Sequence, residues 1–416
     1  MRFLFVHQNF PGQYRHLAGH LARAGHKVVA VGEGANLRRT PRLPGVKLYA
    51  YHMPTPPPRP GGFTAPVERA VDRGRRVVAG AAQLRRAGFV PEVMFAHIGW
   101  GEALFLKDVF PEAKLLLYCE FFYRSRGADM GFDPEFPATA EKLLRLRVMN
   151  APLLMALDVA DAGMAPTRWQ HHQFPAVQKP RIAVIHDGID TDVVAPAGER
   201  DPELITYVAR NLEPYRGFHI FMRAIPEIQR RRPGSRIVIV GGDEVSYSPR
   251  LPAGQTYRQR LLAELGDRID LSRVEFRGKV PYADYLALLR RSAVHVYLTY
   301  PFVLSWSLLE AMSAGCLIVA SRTAPVEEVM RDGENGLMVD FFSPAAIAER
   351  VDYALTHQEE LAPLRVHARE TVVERYDLRR VCLPAQLKYI SYLVRHSEEE
   401  LDRGQHRVAV EDIDAL

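Results

Sequence analysis

Two arginines and a glycine in the middle of the chain have the spacing expected of a phosphate site. Arg210 follows the apolar run "LITYVA", Arg216 comes six residues later, and Gly217 is next. Guanidinium groups pair well with phosphate oxygens, and a residue without a Cβ lets the backbone approach a ligand. We therefore predict phosphate contacts for both arginines, with a surface salt bridge as the alternative for either one alone.

Three more glycines lie just after predicted strands. Gly12 stands between the first predicted strand and helix, and Gly241 and Gly242 end the run "RIVIVGG". Backbone N–H groups and helix N-termini at such positions favour anions. We interpret all three as points where the backbone comes close to a phosphorylated ligand, although ordinary turn chemistry is the alternative for Gly12.

Glu310 lies in "LLEAMSAG", a mostly apolar stretch predicted to be a helix over residues 305–314. A carboxylate in such a helix needs hydrogen-bonding partners when it is buried. A ribose diol would supply two hydroxyl donors, so we predict that Glu310 binds ribose. The alternative is an exposed glutamate on a helix surface.

Two other strand ends, "AHIGWGEALF" and "YCEFFYRSR", carry side chains that could hold a hydroxyl-bearing substrate. Glu120 is followed by two phenylalanines, so we predict a raised pKa and a role in taking a hydroxyl proton. The alternative is an ion pair of Glu120 with Arg124 or Arg126, and for His97 it is a core histidine. The predicted catalytic and acceptor-binding residues here are His97, Trp100, Glu102, Glu120, Tyr123 and Arg124.

These candidates follow strands in a repeating strand–helix pattern. The run "FLFV", the helical stripe of "GQYRHLAGHLARAGH" and the run "KVVAVG" form a first βαβ unit, and uniformly apolar strands are typical of a parallel sheet covered on both faces. Further helices are predicted at 100–110, 139–157, 167–174, 217–231, 254–265, 281–291, 305–314, 325–331 and within 344–396.

The pattern predicts an α/β chain with two doubly wound, Rossmann-like domains that face a central cleft. The first covers residues 1–195, and the second covers residues 200–384. A polar linker joins them near residues 190–203. A C-terminal helix, at about 385–416, is expected to pack back on the first domain, and its charged end is expected to be loosely ordered.

Composition limits the classes of partner. The 416 residues are 47% hydrophobic and carry a net charge of +5, which is ordinary for a globular protein and does not favour nucleic acid. Three widely spaced cysteines predict reduced thiols. With too short an apolar start for a signal peptide and no run long enough to cross a bilayer, the chain is expected in the cytoplasm.

A Pro- and Gly-rich segment at 52–66 is expected to be irregular. The segment behind it, "VERAVDRGRRVVAGAAQLRR", is predicted to be a helix with a basic side. That side is either a solvated face or a rim that touches the anionic inner face of a membrane.

Six segments occur in the order typical of one enzyme family: "NFPGQYRHLAGHLARAGH", "HDGID", "YVARNLEPYRGFHIFMRAI", "VEFRGKV", "LLEAMSAG" and "NGLMVD". From residue 1 to about 390 the chain resembles the retaining glycosyltransferases of family 4, which have the GT-B architecture. The resemblance implies transfer of a sugar from a nucleotide-diphosphate donor with retention at the anomeric carbon. It implies no required metal and no cofactor.

The resemblance also implies that the first domain binds the acceptor and the second binds the nucleotide sugar, and it assigns individual residues. It places Arg210 and Arg216 on the donor diphosphate, and it makes the "HDGID" turn with Asp187 a structural hinge. Phe302 occupies the position of the family's first glutamate, which contacts the hydroxyls of the donor sugar, so we predict an altered sugar pocket. The predicted donor-binding residues are Gly12, Arg210, Arg216, Gly241, Gly242, Val280, Val303, Leu304, Ser305 and Glu310.

The function predicted from the sequence is therefore a retaining, metal-independent hexosyltransferase of polysaccharide or glycoconjugate biosynthesis. Its donor would be a UDP- or GDP-sugar, and its acceptor a glycan or a lipid-linked saccharide. Two alternatives remain: a catalytically silent, nucleotide-binding partner subunit, which Phe302 supports, and a sugar-nucleotide epimerase of the same fold.

Overall fold

The computed structural model describes residues 1–54 and 62–396 and divides into two α/β units. The N-terminal unit contains the described parts of residues 1–126, 137–187 and 379–396. The C-terminal unit contains residues 127–136 and 188–378. The predicted α/β class, with two parallel-sheet domains, is confirmed.

The N-terminal unit is built on a seven-stranded parallel sheet in the order β3-β2-β1-β4-β5-β6-β7. Its central strands are almost entirely buried, because helices cover both faces and only apolar side chains suit either face. The strands are β1 (Arg2–Val6), β2 (Lys27–Glu33), β3 (Val46–Tyr51), β4 (Val93–His97), β5 (Lys114–Tyr118), β6 (Ala162–Ala165) and β7 (Ile182–Val184).

Amphipathic helices flank this sheet. In the first of them, Leu17, Ala18 and Leu21 are buried, as the helical stripe in the sequence predicts. The helices, numbered along the chain, are α1 (Arg15–Arg23), α2 (Gly34–Leu37), α3 (Ala65–Arg86), α4 (Leu106–Val109), α5 (Ala140–Val159), α6 (Arg168–Gln173) and, after the C-terminal unit, α14 (Leu383–Arg395).

The C-terminal unit has a six-stranded parallel sheet in the order β10-β9-β8-β11-β12-β13. Its strands are β8 (Leu204–Asn211), β9 (Arg236–Gly242), β10 (Val274–Gly278), β11 (Val294–Tyr297), β12 (Leu317–Ser321) and β13 (Leu337–Val339). Its helices are α7 (Phe218–Arg231), α8 (Tyr257–Leu265), α9 (Tyr282–Arg291), α10 (Trp306–Ser313), α11 (Ala324–Glu327), α12 (Pro344–Thr356) and α13 (Ala362–Tyr376).

Each sheet reverses its strand order at one point. In the N-terminal sheet the reversal falls between β1 and β4, and in the C-terminal sheet it falls between β8 and β11. In open α/β sheets, ligands bind outside the carboxyl ends of the strands at such a point. The residues that follow these four strands are therefore the first place to look for chemistry.

Two predicted helices are wrong for most of their length. Residues 100–110 contain a 3₁₀ turn that ends at Trp100 and then only α4, because Gly101 adopts a left-handed conformation (φ 89°) that ends helical structure. The predicted helix 325–331 shortens to the four residues of α11.

Residues 127–136 belong to the C-terminal unit, although the predicted boundaries of 1–195 and 200–384 put them in the first domain. The other limits also differ, since the longer segment of this unit begins at Gly188 instead of residue 200 and ends at Leu378 instead of residue 384. The predicted ends of the Pro-rich segment and of the C-terminal helix, residues 55–61 and 397–416, lie outside the described residues. No helix in the described ranges combines the length and apolarity needed to cross a bilayer.

Candidate active site

Two histidines meet at the switch point of the N-terminal sheet. His7 follows β1 directly, and His97 is the last residue of β4, so the parallel register brings both to the same sheet edge. Each is 2% exposed, and their ring centroids lie 5.5 Å apart at a right angle. His7 was not among the predicted site residues.

Backbone N–H groups fix the tautomer of both imidazoles. The N–H of Asn9 donates to His7 Nδ1 at 2.9 Å, and the N–H of Gly99 donates to His97 Nδ1 at 2.9 Å. Because Nδ1 accepts in each ring, the proton of the neutral form must sit on Nε2. His7 Nε2 lies 2.8 Å from Gln13 Oε1, so that proton is donated to the amide.

Glu120 completes what we call the histidine–glutamate network, formed by His7, Gln13, His97 and Glu120. Its carboxylate accepts a hydrogen bond from Gln13 Nε2 at 3.1 Å and lies 3.3 Å from His97 Nε2. The His97 Nε2 is buried and makes no hydrogen bond of good geometry within the described residues. This leaves an oriented N–H donor beside a carboxylate that is 29% exposed.

The predicted raised pKa of Glu120 is wrong. Burial alone would raise this pKa, but the neighbouring imidazoles of His97 and His7 and the Gln13 amide hold it below its ordinary value. The predicted arginine pair does not form either, since Arg124 donates instead to the carbonyl of Phe174 at 2.9 Å. Glu120 is therefore ionised at neutral pH.

The other predicted acceptor residues differ in how accessible they are. Trp100 stacks on His97 with a centroid distance of 3.8 Å, which covers one face of the indole. Tyr123 is half-buried, and its backbone N–H and carbonyl pair with the amide of Asn150. Arg124 packs over the ring of Phe122.

Glu102 is fully buried, and both of its oxygens are engaged. One accepts the hydroxyl of Tyr51 at 2.5 Å and the other accepts the N–H of Gln8 at 3.1 Å. Burial raises the Glu102 pKa to about 7 against the opposing effect of these hydrogen bonds. In this conformation Glu102 ties β3 to the loop after β1 and is closed to an acceptor.

Position 12 requires a glycine because the ring of His7 lies against it. Gly12 adopts a left-handed conformation (φ 46°), and a Cβ there would lie 2.5 Å from the His7 ring. The glycine thus makes room for the imidazole of the histidine–glutamate network. Its predicted contact with a phosphate stays a prediction.

The switch point of the C-terminal sheet carries the arginines. We call residues 210–217, after β8, and 298–305, after β11, the arginine loops. Arg216 Nη1 bridges them, since it donates to Thr299 Oγ1 at 3.0 Å and to the carbonyl of Val303 at 3.1 Å. Gly217 is left-handed (φ 68°), and a side chain there would overlap Leu298.

Arg210 is exposed at the carboxyl end of β8. The β8–β9 register shifts between Val208 and Asn211, so a bulge surrounds Arg210 at the end of the strand. Within the described part of the chain its guanidinium has no hydrogen bond or ion pair. It is therefore a cation whose donors are available.

The backbone after β11 offers further donors. Val303 and Leu304 are nearly buried, and their N–H groups donate no hydrogen bond within residues 1–54 and 62–396. The N–H of Ser305 donates to the Tyr297 hydroxyl at 3.0 Å, while the Ser305 side chain caps α10 by accepting the N–H of Ser307. Two of the three predicted N–H groups therefore remain open to a ligand.

Phe302 is 5% exposed and belongs to an aromatic cluster. Its ring packs edge to face on Tyr215, at 5.6 Å between centroids, and on Tyr247, at 4.9 Å. These three residues come from the loops after β8, β9 and β11. An acid at position 302 would have to be buried among these rings. The predicted change of the sugar pocket stays a prediction.

Glu310 is half-buried on α10 and forms hydrogen bonds with other side chains of the protein. Its two oxygens accept hydrogen bonds from the hydroxyls of Tyr282, at 2.7 Å, and Tyr285, at 2.8 Å. The carboxylate therefore already holds the kind of paired hydroxyl donors that a ribose would offer.

The predicted glycines and Val280 lie on the neighbouring strand ends. Gly241 is the penultimate residue of β9, and a Cβ there would lie 2.7 Å from Leu212. Gly242 follows it beside the surface ion pair of Lys279 with Glu244, at 2.8 Å. Val280 is half-buried and packs on the core.

A ten-residue segment, Gly127–Phe136, which we call the strap, holds both arginine loops. Asp129 accepts the hydroxyl of Tyr215 at 2.7 Å, and Asp133 accepts that of Tyr300 at 2.5 Å. Asp133 also pairs with His219 Nε2 at 2.8 Å. Because Tyr215 and Tyr300 lie on different loops, the two aspartates fix the loops on either side of the switch point.

Glu213 is another functional candidate absent from the predictions. It is 1% exposed, and one of its oxygens accepts the N–H groups of Ser246, Tyr247 and Ser248 at 2.9–3.1 Å. This carboxylate fixes the loop after β9 against the first arginine loop. Nothing local in "NLEPYRG" distinguishes such an acid from an exposed one.

Two family models match consecutive parts of the chain. The model "Glycosyl transferase family 4 group" matches residues 24–194, and the model "Glycosyl transferases group 1" matches residues 191–371. The chain belongs to the family 4 glycosyltransferases. Between them the models cover residues 24–371, which leaves out β1 and the loop after it that carries His7 and Gly12.

Curated relatives and solved structures agree with this family. D-inositol 3-phosphate glycosyltransferase of Corynebacterium efficiens is 28% identical over 195 residues, 43% of this chain and 44% of the relative. Phosphatidyl-myo-inositol mannosyltransferase of Mycobacterium tuberculosis is 29% identical over 244 residues, 56% of this chain and 58% of the relative. The match thus spans about half the length of the curated relatives.

The structural likeness extends over nearly the whole chain. Sucrose-phosphate synthase from Thermosynechococcus elongatus superposes with a TM-score of 0.71 at 17% identity and covers 95% of this chain and 100% of that one. Anabaena Alr3699/HepE in complex with UDP gives a TM-score of 0.65 at 15% identity, with 94% and 100% covered. The likeness confirms the GT-B fold.

Proposed function

We propose that this chain is a retaining glycosyltransferase that moves a sugar from a nucleotide-diphosphate donor to a phosphorylated or lipid-linked polyol or saccharide. The observation that carries the proposal is the convergence of Arg216, Arg210 and the open N–H groups of Val303 and Leu304 at the switch point of the C-terminal sheet. Neither a metal nor a cofactor is part of the proposed chemistry.

These groups suit a leaving nucleoside diphosphate. As the bond between the anomeric carbon and the phosphate oxygen breaks, negative charge builds on the phosphate. Oriented cations and N–H groups stabilise that charge in the transition state more than in the ground state. Arg216 is held in place by Thr299 and Val303, whereas Arg210 keeps its donors for the ligand.

The histidine–glutamate network would orient the acceptor. The ionised carboxylate of Glu120 can accept a hydrogen bond from the attacking hydroxyl, and the buried Nε2–H of His97 can donate one to a substrate oxygen. As the oxygen–carbon bond forms, the hydroxyl proton is lost, and a carboxylate in this position favours that loss.

The relatives suggest the acceptor class to test first. By name, they act on D-inositol 3-phosphate and on phosphatidyl-myo-inositol, both of which are polyols that carry a phosphate. The HepE neighbour was solved with UDP and with UDP-glucose. We therefore favour a UDP-sugar donor and keep a GDP-sugar as the second choice.

The test is a melting-temperature series with UDP, GDP, ADP and dTDP, followed by transfer assays with the sugar nucleotides of the best base. Binding to the native state raises the melting temperature with affinity, so one base should stand out. Product formed with the donor's anomeric configuration, and formed equally in the presence of a chelator, is the expected result. An inverted product would contradict retention, and the absence of any nucleotide shift would contradict the function.

Phe302 favours one other function, that of a silent nucleotide-binding subunit. A buried phenylalanine where the family has a sugar-binding acid removes a polar sugar contact. This alternative predicts a clear nucleotide shift with no nucleotide released in the presence of acceptors. An epimerase of the same fold would convert the donor with no acceptor present, so the same assays separate all three.

A further inference from the structure

A cavity of about 400 Å³ lies at the free edge of the N-terminal sheet. It is formed by the segment that contains α2 and by β3, the edge strand. Its lining combines apolar side chains with two arginines and a histidine: Phe10, Leu37, Leu43, Leu48, Arg38, Arg42 and His52.

The charge on this cavity is one-sided. Arg38 and Arg42 are exposed, and neither guanidinium contacts a carboxylate or makes a hydrogen bond within residues 1–54 and 62–396. The sequence contains no aspartate or glutamate between Glu33 and Glu68. Guanidinium groups without an internal counter-charge have donors left to bind an anion from outside.

The apolar part of the lining limits what that anion is. Leu37, Leu43 and Leu48 are only half-buried, so they leave carbon surface next to the arginines. A bare inorganic ion would use the arginines alone. A phosphate ester attached to a ring or a chain would also cover the leucines, which adds a favourable burial of apolar area.

The cavity shares a loop with the histidine–glutamate network. The loop after β1 presents His7 and Gln13 to that network and Phe10 to the cavity. Thr40 donates to the carbonyl of Phe10 at 2.8 Å, and Asn36 donates to that of Gln8 at 3.3 Å. The segment that carries the arginines is therefore fixed to the loop that carries the network.

We propose that this cavity binds the phosphate ester of the acceptor, with Arg38 and Arg42 on the phosphate and the leucines against the attached carbon skeleton. The inference rests on the proposed function, in which the acceptor is a phosphorylated polyol. The phosphate could be that of a soluble polyol phosphate or that of a phospholipid, and both present the same ester group to the arginines.

The experiment measures binding without any donor nucleotide, so that it does not depend on transfer. The probes are myo-inositol 1-phosphate in isothermal titration and mixed phosphatidylcholine–phosphatidylinositol vesicles in co-sedimentation. The double variant Arg38→Ala/Arg42→Ala should lose about tenfold or more in affinity for whichever probe binds. The matched control is Arg39→Ala, an exposed arginine of the same segment that does not line the cavity.

The outcomes separate the possibilities. Binding of the soluble ester would identify the ligand as a polyol phosphate, and binding of the vesicles alone would identify it as a lipid. Either result supports the proposed role of the cavity if the double variant loses that binding. An equal loss of affinity in the Arg39 variant would mean that general surface charge causes the effect, and it would overturn the proposal. The proposal would also be overturned if neither probe binds. A melting-temperature shift with nucleotide that is unchanged in the double variant shows that it is folded, and keeps this result separate from a failure of the proposed function.

Discussion

At the switch point of the N-terminal sheet, the polar side chains are bonded to one another, whereas at that of the C-terminal sheet a cation is left exposed. His7, Gln13 and Glu120 form a chain of contacts at 2.8–3.1 Å. Arg210 has no comparable partner in the described residues. The same sheet geometry thus carries a closed network in one unit and an open set of donors in the other.

The difference follows from what each set would act on. A neutral hydroxyl needs its partners already oriented, so a network that fixes tautomer and charge beforehand is an advantage. A diphosphate is itself charged, so its oxygens supply the acceptors for cations that have free donors. The comparison predicts that substitution of the arginines in the C-terminal unit lowers the rate of transfer most. Substitution in buried hydrogen-bonded pairs should lower the free energy of unfolding most.

The largest effect is expected for Arg216→Ala, which removes the cation that bridges the arginine loops. Transfer should fall by about 10²–10³-fold, because charge on the leaving phosphate would lose a fixed partner. Steady-state kinetics with the best sugar nucleotide measures this. The control is Arg231→Ala, at the end of α7 and paired with Glu227; a similar loss there would remove the special role of Arg216.

The next effect concerns the strap. Asp133→Ala leaves the Tyr300 hydroxyl and His219 Nε2 buried without an acceptor, so the free energy of unfolding should fall by about 3 kcal/mol. Urea denaturation measures this loss. Glu135→Ala is the matched control, because Glu135 is exposed and pairs with Arg223 at the surface, where about 1 kcal/mol or less is expected. Equal losses would mean that the strap is held by its surface pair.

The sequence pattern predicts the strand ends but not the contacts of the strap. Local periodicity located the strands, and with them the positions of Arg210 and His97, because a strand end fixes which residue reaches the sheet edge. The burial of Glu310 in an apolar helix correctly implied that its carboxylate needs partners. These features depend on neighbours in sequence, which a pattern contains.

Other features depend on contacts between distant segments. Nothing near Asp133 indicates that its partners are His219 and Tyr300, 86 and 167 residues away. Glu120 was expected to have a raised pKa from its adjacent phenylalanines, but its nearest groups are His97 and Gln13. His7 was the one residue that could have been found, since it directly follows the first strand of a doubly wound sheet.

A smaller effect is expected from pH. Burial lowers the pKa of His7 and His295 to about 3 and that of His186 to about 4, so the native state does not take up the protons that the unfolded state binds below pH 6.5. Glu102 opposes this, because its native pKa of about 7 lets the native state bind a proton first. The contribution of the three histidines to the free energy of unfolding is therefore fully present above pH 6.5 and is lost as the pH falls.

With three histidines against one glutamate, the free energy of unfolding should be on the order of 2 kcal/mol lower at pH 5.5 than at pH 7.5. Denaturant titrations at the two pH values measure the difference. His295→Gln, which cannot take up a proton, should reduce the pH dependence. A stability that rises towards pH 5.5 would show that the carboxyl group dominates.

The smallest effect separates two roles for Glu310. If Glu310 binds ribose, Glu310→Gln should weaken nucleotide affinity by about tenfold, because a neutral amide accepts hydroxyl hydrogen bonds less strongly than a carboxylate does. Turnover at saturating donor should change little, since the ribose lies away from the bond that breaks. If Glu310 only holds Tyr282 and Tyr285, the same variant should lose stability and leave affinity intact. Tyr282→Phe is the companion variant: it removes one protein donor, and by freeing a carboxylate oxygen for the ribose it should strengthen nucleotide binding, whereas under a purely structural role it should leave binding unchanged.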